Sequence, residues 1–273
     1  MYSQTETAER VAAAGEKKAK NDPVRLLLLA ILAGIFVALS GAGANTAACL
    51  IENAAVAKLV GALVFPVGLG MILIAGGELF TGNCLIIVSV LEGRASPLGM
   101  FKNWFFVYVG NFIGSIIVSF MCSYCGQYAL LGGAVARGAA SGAIYKVSLG
   151  FWPAFGLAVL CNVVVCTAVW MAYGSNTAEG KAISIYLPVM LFVLAGLEHC
   201  VANAYFVSAG IFANLNPAYS AALEGLNGLE SLTVGNFLFK SMLPSTLGNI
   251  VGGVLLGACY WYTFLKKDSS RSA

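Results

Sequence analysis

Charged side chains are scarce in this sequence, and their scarcity excludes a water-soluble fold. Only 10% of the 273 residues are charged and 59% are hydrophobic, whereas a typical soluble domain has about 25% charged residues. The apolar residues fall in blocks about as long as the ~20 residues that a helix needs to cross a bilayer. The sequence therefore predicts an all-α membrane protein that crosses the lipid bilayer several times.

Motifs for cofactors, metals and nucleic acids are also lacking. The sequence has one histidine, no Walker loop and no paired Cys or His ligands for haem, zinc or an iron–sulfur cluster. Cys122 and Cys125 form a C-x-x-C without a second pair, so we interpret the eight cysteines as small buried hydrophobes. The net charge of +3 is too small and too dispersed for nucleic acid. We expect no cofactor, no metal, no nucleic-acid partner and no enzymatic activity.

Six hydrophobic segments predict six transmembrane helices. They cover roughly residues 24–44, 59–91, 103–125, 150–173, 183–212 and 241–265. The second and fifth are longer than a bilayer requires, and glycine and polar residues interrupt both near the middle, so we expect broken helices there. The predicted organisation is an N-terminal arm (1–22), a six-span domain (23–265) and a C-terminal tail (266–273).

Positive charges are distributed unevenly over the two predicted faces. An even number of spans places both termini beside loops 92–102 and 174–182, and that face receives eleven of the fifteen Lys and Arg residues. The remaining four are Lys58, Arg137, Lys146 and Lys240. The positive-inside rule then predicts cytoplasmic termini. Residues 5–20 are typical of an amphipathic helix, which we interpret as an arm lying against the headgroups, with a gating lid as the alternative.

Two pairs of segments share sequence patterns in the same order. The runs Gly76 to Asn83 and Gly196 to Asn203 both have the pattern G-x-E-x-x-x-x-N. Segments three and six also match each other. The spacing of Lys102, Gly110, Asn111 and Gly114 in segment three is the same as that of Lys240, Gly248, Asn249 and Gly252 in segment six. The matches predict a duplicated unit of three spans. Because three is an odd number, the second copy enters the membrane from the opposite face, which gives an inverted 3+3 repeat of about 23–125 and 150–265. We expect the pore between the two breaks.

Three ionisable side chains lie in these breaks. Glu78 and Glu198 occupy equivalent positions, whereas the equivalent of His199 is Leu79. An ionisable group at the bilayer centre costs at least ~2.5 kcal/mol on insertion scales, so each is a functional hypothesis. We assign the two glutamates a structural role, in which they accept the backbone N–H groups freed by the break. The imidazole occurs in one half only, which favours a pore role over hydrogen-bonded packing.

Other residues complete the candidate pore and its scaffold. Leu79 and Phe192 are apolar and placed to narrow a pore on either side of the histidine, and Thr81 offers a hydroxyl in the first break. The scaffold residues, interpreted as structural or as allowing close helix packing, are Asn83, Asn203, Gly110 and Gly248. Composition leaves Na⁺- or H⁺-coupled transport open.

A neutral-solute pore of the aquaporin type is the rival class, because it shares the inverted plan. Its paired Asn-Pro-Ala motifs are missing, since Asn216-Pro217-Ala218 has no partner in the first half.

With these residues in view, the sequence resembles the formate/nitrite transporter family, pentameric anion channels with an aquaporin-like protomer. The resemblance extends from about Pro23 to Leu265. It rests on Gly77 to Asn83, Lys102-Asn103-Trp104 continuing to Gly110-Asn111, Ala168 to Met171, Glu198-His199 with Ala202-Asn203, and Gly248-Asn249-Ile250.

The resemblance implies a role for each pore residue. His199 would be the central pore histidine that hydrogen-bonds or protonates the anion, faced by Thr81, with Glu198 and Asn162 in the polar network around it. The other implied roles are a constriction toward the periplasm at Leu79 and Phe192, part of a cytoplasmic constriction at Leu69, and a vestibule lysine that attracts the anion at Lys146. A homo-pentamer in the bacterial inner membrane is implied as well. Formate is the first expected substrate, with nitrite and hydrosulfide as alternatives.

Overall fold

The computed structural model of this protein describes residues 1–266, which are helical with short connections. Within that range, five stretches are long and apolar enough to cross a membrane: Pro23–Ala48, Ala54–Ala75, Pro97–Tyr124, Phe151–Gly174 and Val234–Phe264. The prediction of an all-α membrane protein is confirmed. Nearly all of the predicted tail at 266–273 lies outside the described residues.

The helices form two series of similar order. The first is α1 (Gln4–Lys20), α2 (Pro23–Ala48), α3 (Ala54–Val64), α4 (Val67–Ala75), α5 (Phe80–Asn83), α6 (Ile86–Leu91) and α7 (Pro97–Tyr124). A 3₁₀ segment at Gln127–Gly133 leads to the second series. It comprises α8 (Ala134–Ser148), α9 (Phe151–Gly174), α10 (Ala178–Leu194), α11 (Cys200–Leu215), α12 (Ser220–Leu223), α13 (Val234–Asn236) and α14 (Leu243–Phe264), with a π-helical turn at Phe237–Met242. This order is consistent with six spans.

Both predicted helix breaks are present. The first separates α4 from α5 and the second separates α10 from α11. The glycine that opens each repeated pattern has a positive φ, +110° at Gly76 and +70° at Gly196. A Cβ strongly disfavours this conformation, so glycine is the residue that ends each half-helix. With 17 and 16 residues, α10 and α11 are each too short to span a bilayer of about 30 Å alone.

Glycines bring the long spans into backbone contact. A Cβ on Gly110 of α7 would lie 2.5 Å from the Cβ of Ala30 in α2, and a Cβ on Gly248 of α14 would lie 2.4 Å from the carbonyl oxygen of Phe155 in α9. The pairs α2–α7 and α9–α14 therefore leave no room for a side chain at these points. The pair α2–α7 lies beside the first break, and the pair α9–α14 lies beside the second.

A short helix precedes the first span of each series. α1 packs along α6 and α7, and α8, which the sequence analysis did not predict, packs along α11. Lys18 in α1 precedes the first residue of α2 by as many positions as Lys146 in α8 precedes that of α9. The structural repeat thus includes the N-terminal arm, at one face, and α8 at the other.

Large apolar side chains cover the outer surface of the spans. Examples with strong exposure are Leu28 and Leu39 on α2, Leu160 on α9, Leu187 on α10 and Leu255 on α14. Such a surface is stable against lipid tails or against another copy of the chain, but not against water.

Candidate pore site

Asn111 holds the first break together. Its Oδ1 accepts a hydrogen bond from the N–H of Phe80 at 2.9 Å, and its Nδ2 donates to the carbonyl oxygens of Ala30 and Glu78, both at 2.8 Å. The asparagine thereby supplies a partner for one N–H and one carbonyl that the interrupted helix leaves free, and ties the break to α2.

Asn249 does the same at the second break. Its Oδ1 accepts from the N–H of Cys200 at 2.9 Å, and its Nδ2 donates to the carbonyl oxygens of Ala158 at 2.8 Å and Glu198 at 3.0 Å. Both asparagines belong to the repeated sequence pattern, from which we expected the glutamates to accept the freed N–H groups. That assignment is wrong, because the asparagines from the neighbouring spans reach these groups and the carboxylates bind elsewhere.

The carboxylate of Glu78 lies in a cluster with Lys18 and Asn83. Its Oε2 accepts from Lys18 Nζ at 2.6 Å and from Asn83 Nδ2 at 2.7 Å, while Lys18 Nζ also donates to Asn83 Oδ1 at 2.8 Å. The Glu78 side chain is 9% exposed. A carboxylate this buried needs a partner to offset its desolvation, and α1 provides it.

Glu198 lies in the equivalent cluster of the second half. Lys146 Nζ donates to its two oxygens at 3.0 and 3.1 Å, and Asn203 Nδ2 donates to Oε2 at 2.6 Å. The side chains of Lys146 and Glu198 are 15% and 3% exposed. The resemblance implies that Lys146 attracts the anion, but in this structure its charge is balanced by the buried carboxylate of Glu198.

His199 is the N-cap of α11, and this capping determines its tautomer. Its Nδ1 accepts from the backbone N–H of Ala202 at 3.1 Å, and its Nε2 lies 2.9 Å from Oγ1 of Thr81. A backbone N–H is always a donor, so Nδ1 carries the lone pair and the proton of the neutral ring sits on Nε2. The imidazole thus presents a hydrogen-bond donor toward the first break, and a proton on Nδ1 would cost the cap.

Asn162 positions Thr81 rather than contacting the histidine. Its Nδ2 donates to the carbonyl oxygen of Thr81 at 3.2 Å and to that of Asn249 at 2.6 Å. The carboxylate of Glu198, although adjacent in sequence to His199, bonds to its lysine and asparagine partners. The polar network around the imidazole is therefore made of Thr81 and the groups that hold it.

Two cavities adjoin these groups. The larger, of about 370 Å³, is lined on the α8 side by Lys146, Glu198, His199, Phe192 and Phe65 among others. The smaller, of about 30 Å³, is lined by Val11, Gly15 and Lys18 of α1 together with Leu69, Leu79 and Asn83. The contact between His199 and Thr81 lies between the two half-helix breaks, and α1 walls the smaller cavity.

The structure corrects the predicted pairing of the apolar constriction residues. Leu79 lines the small cavity together with Leu69, whereas Phe192 lines the large one. The two residues therefore line different cavities, and Leu79 shares its cavity with residues of α1. The partner of Phe192 is Phe65, at 5.8 Å between ring centroids and nearly perpendicular, and Phe192 itself stacks on His199 at 5.8 Å.

Phe65 was missed by the sequence analysis. It lies in the second hydrophobic segment, where an aromatic residue is indistinguishable from ordinary core. Only its packing against Phe192 and its stacking on Phe206 at 6.1 Å show that it belongs to the aromatic layer below the large cavity.

Comparisons with known proteins agree with the helical membrane fold. A family model described as formate/nitrite transporter matches residues 5–263. The chain is 36% identical to a probable formate transporter of Methanothermobacter thermautotrophicus, over 97% of this chain and 98% of that protein. It is 34% identical to the formate channel FocA of Escherichia coli K12, over 93% and 92%. A solved pentameric formate channel with formate bound is similar at a TM-score of 0.80 and 36% identity, covering 89% of this chain and 98% of the other.

Proposed function

Because this chain belongs to the formate/nitrite transporter family, we propose that it is a multi-pass membrane channel for small monovalent anions of weak acids. Formate is the substrate that we propose first, since the similar transporter, the similar channel and the similar solved structure are all named for formate. Nitrite and hydrosulfide are the alternatives within the same family. The observation that carries the proposal is the hydrogen-bond donor of His199 beside Thr81, at a contact between the two helix breaks and next to the large cavity.

The proposed path runs through the large cavity, whose lining includes Phe65, Phe192 and His199, toward the smaller cavity. Moving a bare anion from water into a narrow apolar passage is unfavourable, because the anion loses its hydration. Phe65 and Phe192 narrow the path, and the N–H at Nε2 of His199 lies just beyond Phe192, where water is removed. A hydrogen bond from this N–H and one from the Thr81 hydroxyl would replace part of the lost hydration.

The geometry favours hydrogen bonding over proton donation by His199. A neutral ring with its proton on Nε2 can donate to an anion without any change of charge. Acting as an acid requires first the charged ring, and the proton on Nδ1 would displace the bond from the N–H of Ala202. Hydrogen-bond donation is therefore the role we assign to this side chain.

The distribution of charge supports an orientation. Both termini would be cytoplasmic, because the face of α1 carries most of the Lys and Arg residues. The large cavity then opens toward the periplasm, and Leu69 with Leu79 would form the cytoplasmic constriction. α1, tied down by Lys18, covers the cytoplasmic entrance in this conformation.

A homo-pentamer in the bacterial inner membrane is the proposed assembly. The similar solved channel is pentameric, and the apolar outer surface of this chain suits both lipid and neighbouring copies.

A flux panel in proteoliposomes tests the proposed function. Formate, nitrite, hydrosulfide, chloride and glycerol are compared under one set of gradients, with protein-free liposomes as the control. We expect at least one weak-acid anion to pass much faster than chloride and glycerol. Passage of glycerol without passage of the anions would contradict the proposal and support a neutral pore of the aquaporin type.

A further inference from the structure

Lys58 is the second lysine of the large cavity, and it belongs to neither of the two clusters of lysine, glutamate and asparagine. The ionisable side chains that line this cavity are Lys58, Lys146, Glu198 and His199, apart from the phenol of Tyr145. Lys146 is paired with Glu198 at 3.0 Å, and the imidazole is neutral in the tautomer assigned above. Among residues 1–266, Lys58 makes no hydrogen bond or ion pair with a side chain or carbonyl, so the cavity carries one unbalanced positive charge.

The position of Lys58 on α3 directs it to the cavity. Lys58, Gly61 and Phe65 follow one another at the spacing of a single helix face, and all three line the cavity. The exposed apolar residues of the same helix point to the opposite face: Val56, Leu59 and Leu63. The ammonium group therefore faces the cavity, and the other face of α3 is left for lipid or another copy.

Lys58 lies at the outer rim, above the aromatic layer. Phe65 follows Lys58 by seven positions, which corresponds to about 10 Å along a helix axis. Its Nζ reaches the turn that opens the second repeated pattern, because a Cβ on Gly196 would lie 2.7 Å from it. An anion entering from this side meets Lys58 first, then the neutral pair of Lys146 and Glu198, and then Phe65, Phe192 and His199.

We infer that Lys58 is the residue that concentrates the anion at the mouth of the large cavity, an inference that rests on the proposed anion-channel function. A charge at the rim of a cavity with low-dielectric walls raises the local concentration of the opposite charge. It acts before the anion reaches Phe192 and His199, so we expect it to set the concentration of anion at which the channel half-saturates rather than the maximal flux.

The test compares initial formate flux through proteoliposomes containing wild-type protein, Lys58→Gln, Lys58→Arg and Lys240→Gln. Lys240 is an exposed cation that does not line the cavity, so Lys240→Gln is the matched control. At low ionic strength we expect Lys58→Gln to raise the half-saturating formate concentration about two- to fivefold, with maximal flux nearly unchanged. Lys58→Arg should remain close to wild type. At 1 M inert salt, where the Debye length is about 3 Å, the difference should disappear.

Three results would overturn the assignment. The first is an unchanged half-saturating concentration in Lys58→Gln at low ionic strength, and the second is an equal shift in Lys240→Gln. The third is a loss of maximal flux together with a lower melting temperature, which would mean that Lys58 stabilises the C-terminal end of α10 instead. A wild-type protein that passes no formate, nitrite or hydrosulfide would instead defeat the proposed function, and the role of Lys58 with it.

Discussion

His199 makes two contacts that substitutions can separate. Its Nδ1 caps α11 through the N–H of Ala202, and its Nε2 faces Thr81. In His199→Asn, the side-chain oxygen can take the place of Nδ1, and asparagine is among the best N-cap residues. It is too short to reach the position of Nε2. In His199→Phe, the ring remains but both contacts are lost.

The two variants should therefore differ in stability but share a defect in transport. Loss of an N-cap costs about 0.5–2 kcal/mol, so His199→Phe should melt at a lower temperature than wild type while His199→Asn stays close to it. A hydrogen bond to a charged group contributes about 1.5–3 kcal/mol. At about 1.4 kcal/mol for each factor of ten, removal of the Nε2 donor should slow formate flux by about ten- to a hundredfold in both variants.

Thermal unfolding in detergent and formate flux in proteoliposomes, at equal protein content, measure the two effects. Glycerol flux serves as the control for an unselective leak through the space that asparagine leaves. Wild-type formate flux and unchanged pH dependence in His199→Asn would refute the donor role and return the histidine to packing. Equal destabilisation by Asn and Phe would refute the capping argument.

Two further predictions concern the scaffold. Lys18→Met should speed backbone hydrogen exchange in α1, because it leaves the buried carboxylate of Glu78 without its cation, and adding Glu78→Gln should reverse part of the effect. Unchanged exchange in Lys18→Met would mean that the ion pair does not hold α1 in place. Gly248→Ala should lower the melting temperature, since its Cβ would lie 2.4 Å from the carbonyl oxygen of Phe155. The control Gly142→Ala in α8 places a Cβ with no atom within 4 Å and should be neutral or stabilising, so equal melting temperatures of the two variants would contradict the close packing at Gly248.

The equivalence of the two halves was predictable from local patterns. Each break is marked by a glycine that must adopt a positive φ, followed at fixed spacing by a glutamate and an asparagine. The following span then carries an asparagine at the same place in both halves. Because these features are set within one segment, spacing alone aligns Gly76 with Gly196 and Asn111 with Asn249.

The partners of the polar groups were not predictable in the same way. Lys18 meets Glu78 across 60 positions of chain, and Lys146 meets Glu198 across 52. Spacing shows which residues share a helix face, but a contact between two helices depends on how they pack. For that reason the glutamates were expected to bind backbone N–H groups, which Asn111 and Asn249 bind instead.

The sequence by itself determined the class of protein, the breaks and the inverted repeat, because a bilayer demands long apolar helices and a broken helix demands glycine and polar groups nearby. Only the tertiary structure decided which cavity each residue lines, which lysine is neutralised and which nitrogen of His199 carries the proton. Those properties arise where side chains from distant segments compete for the same buried partners. The outcome depends on distances that no spacing along the chain contains.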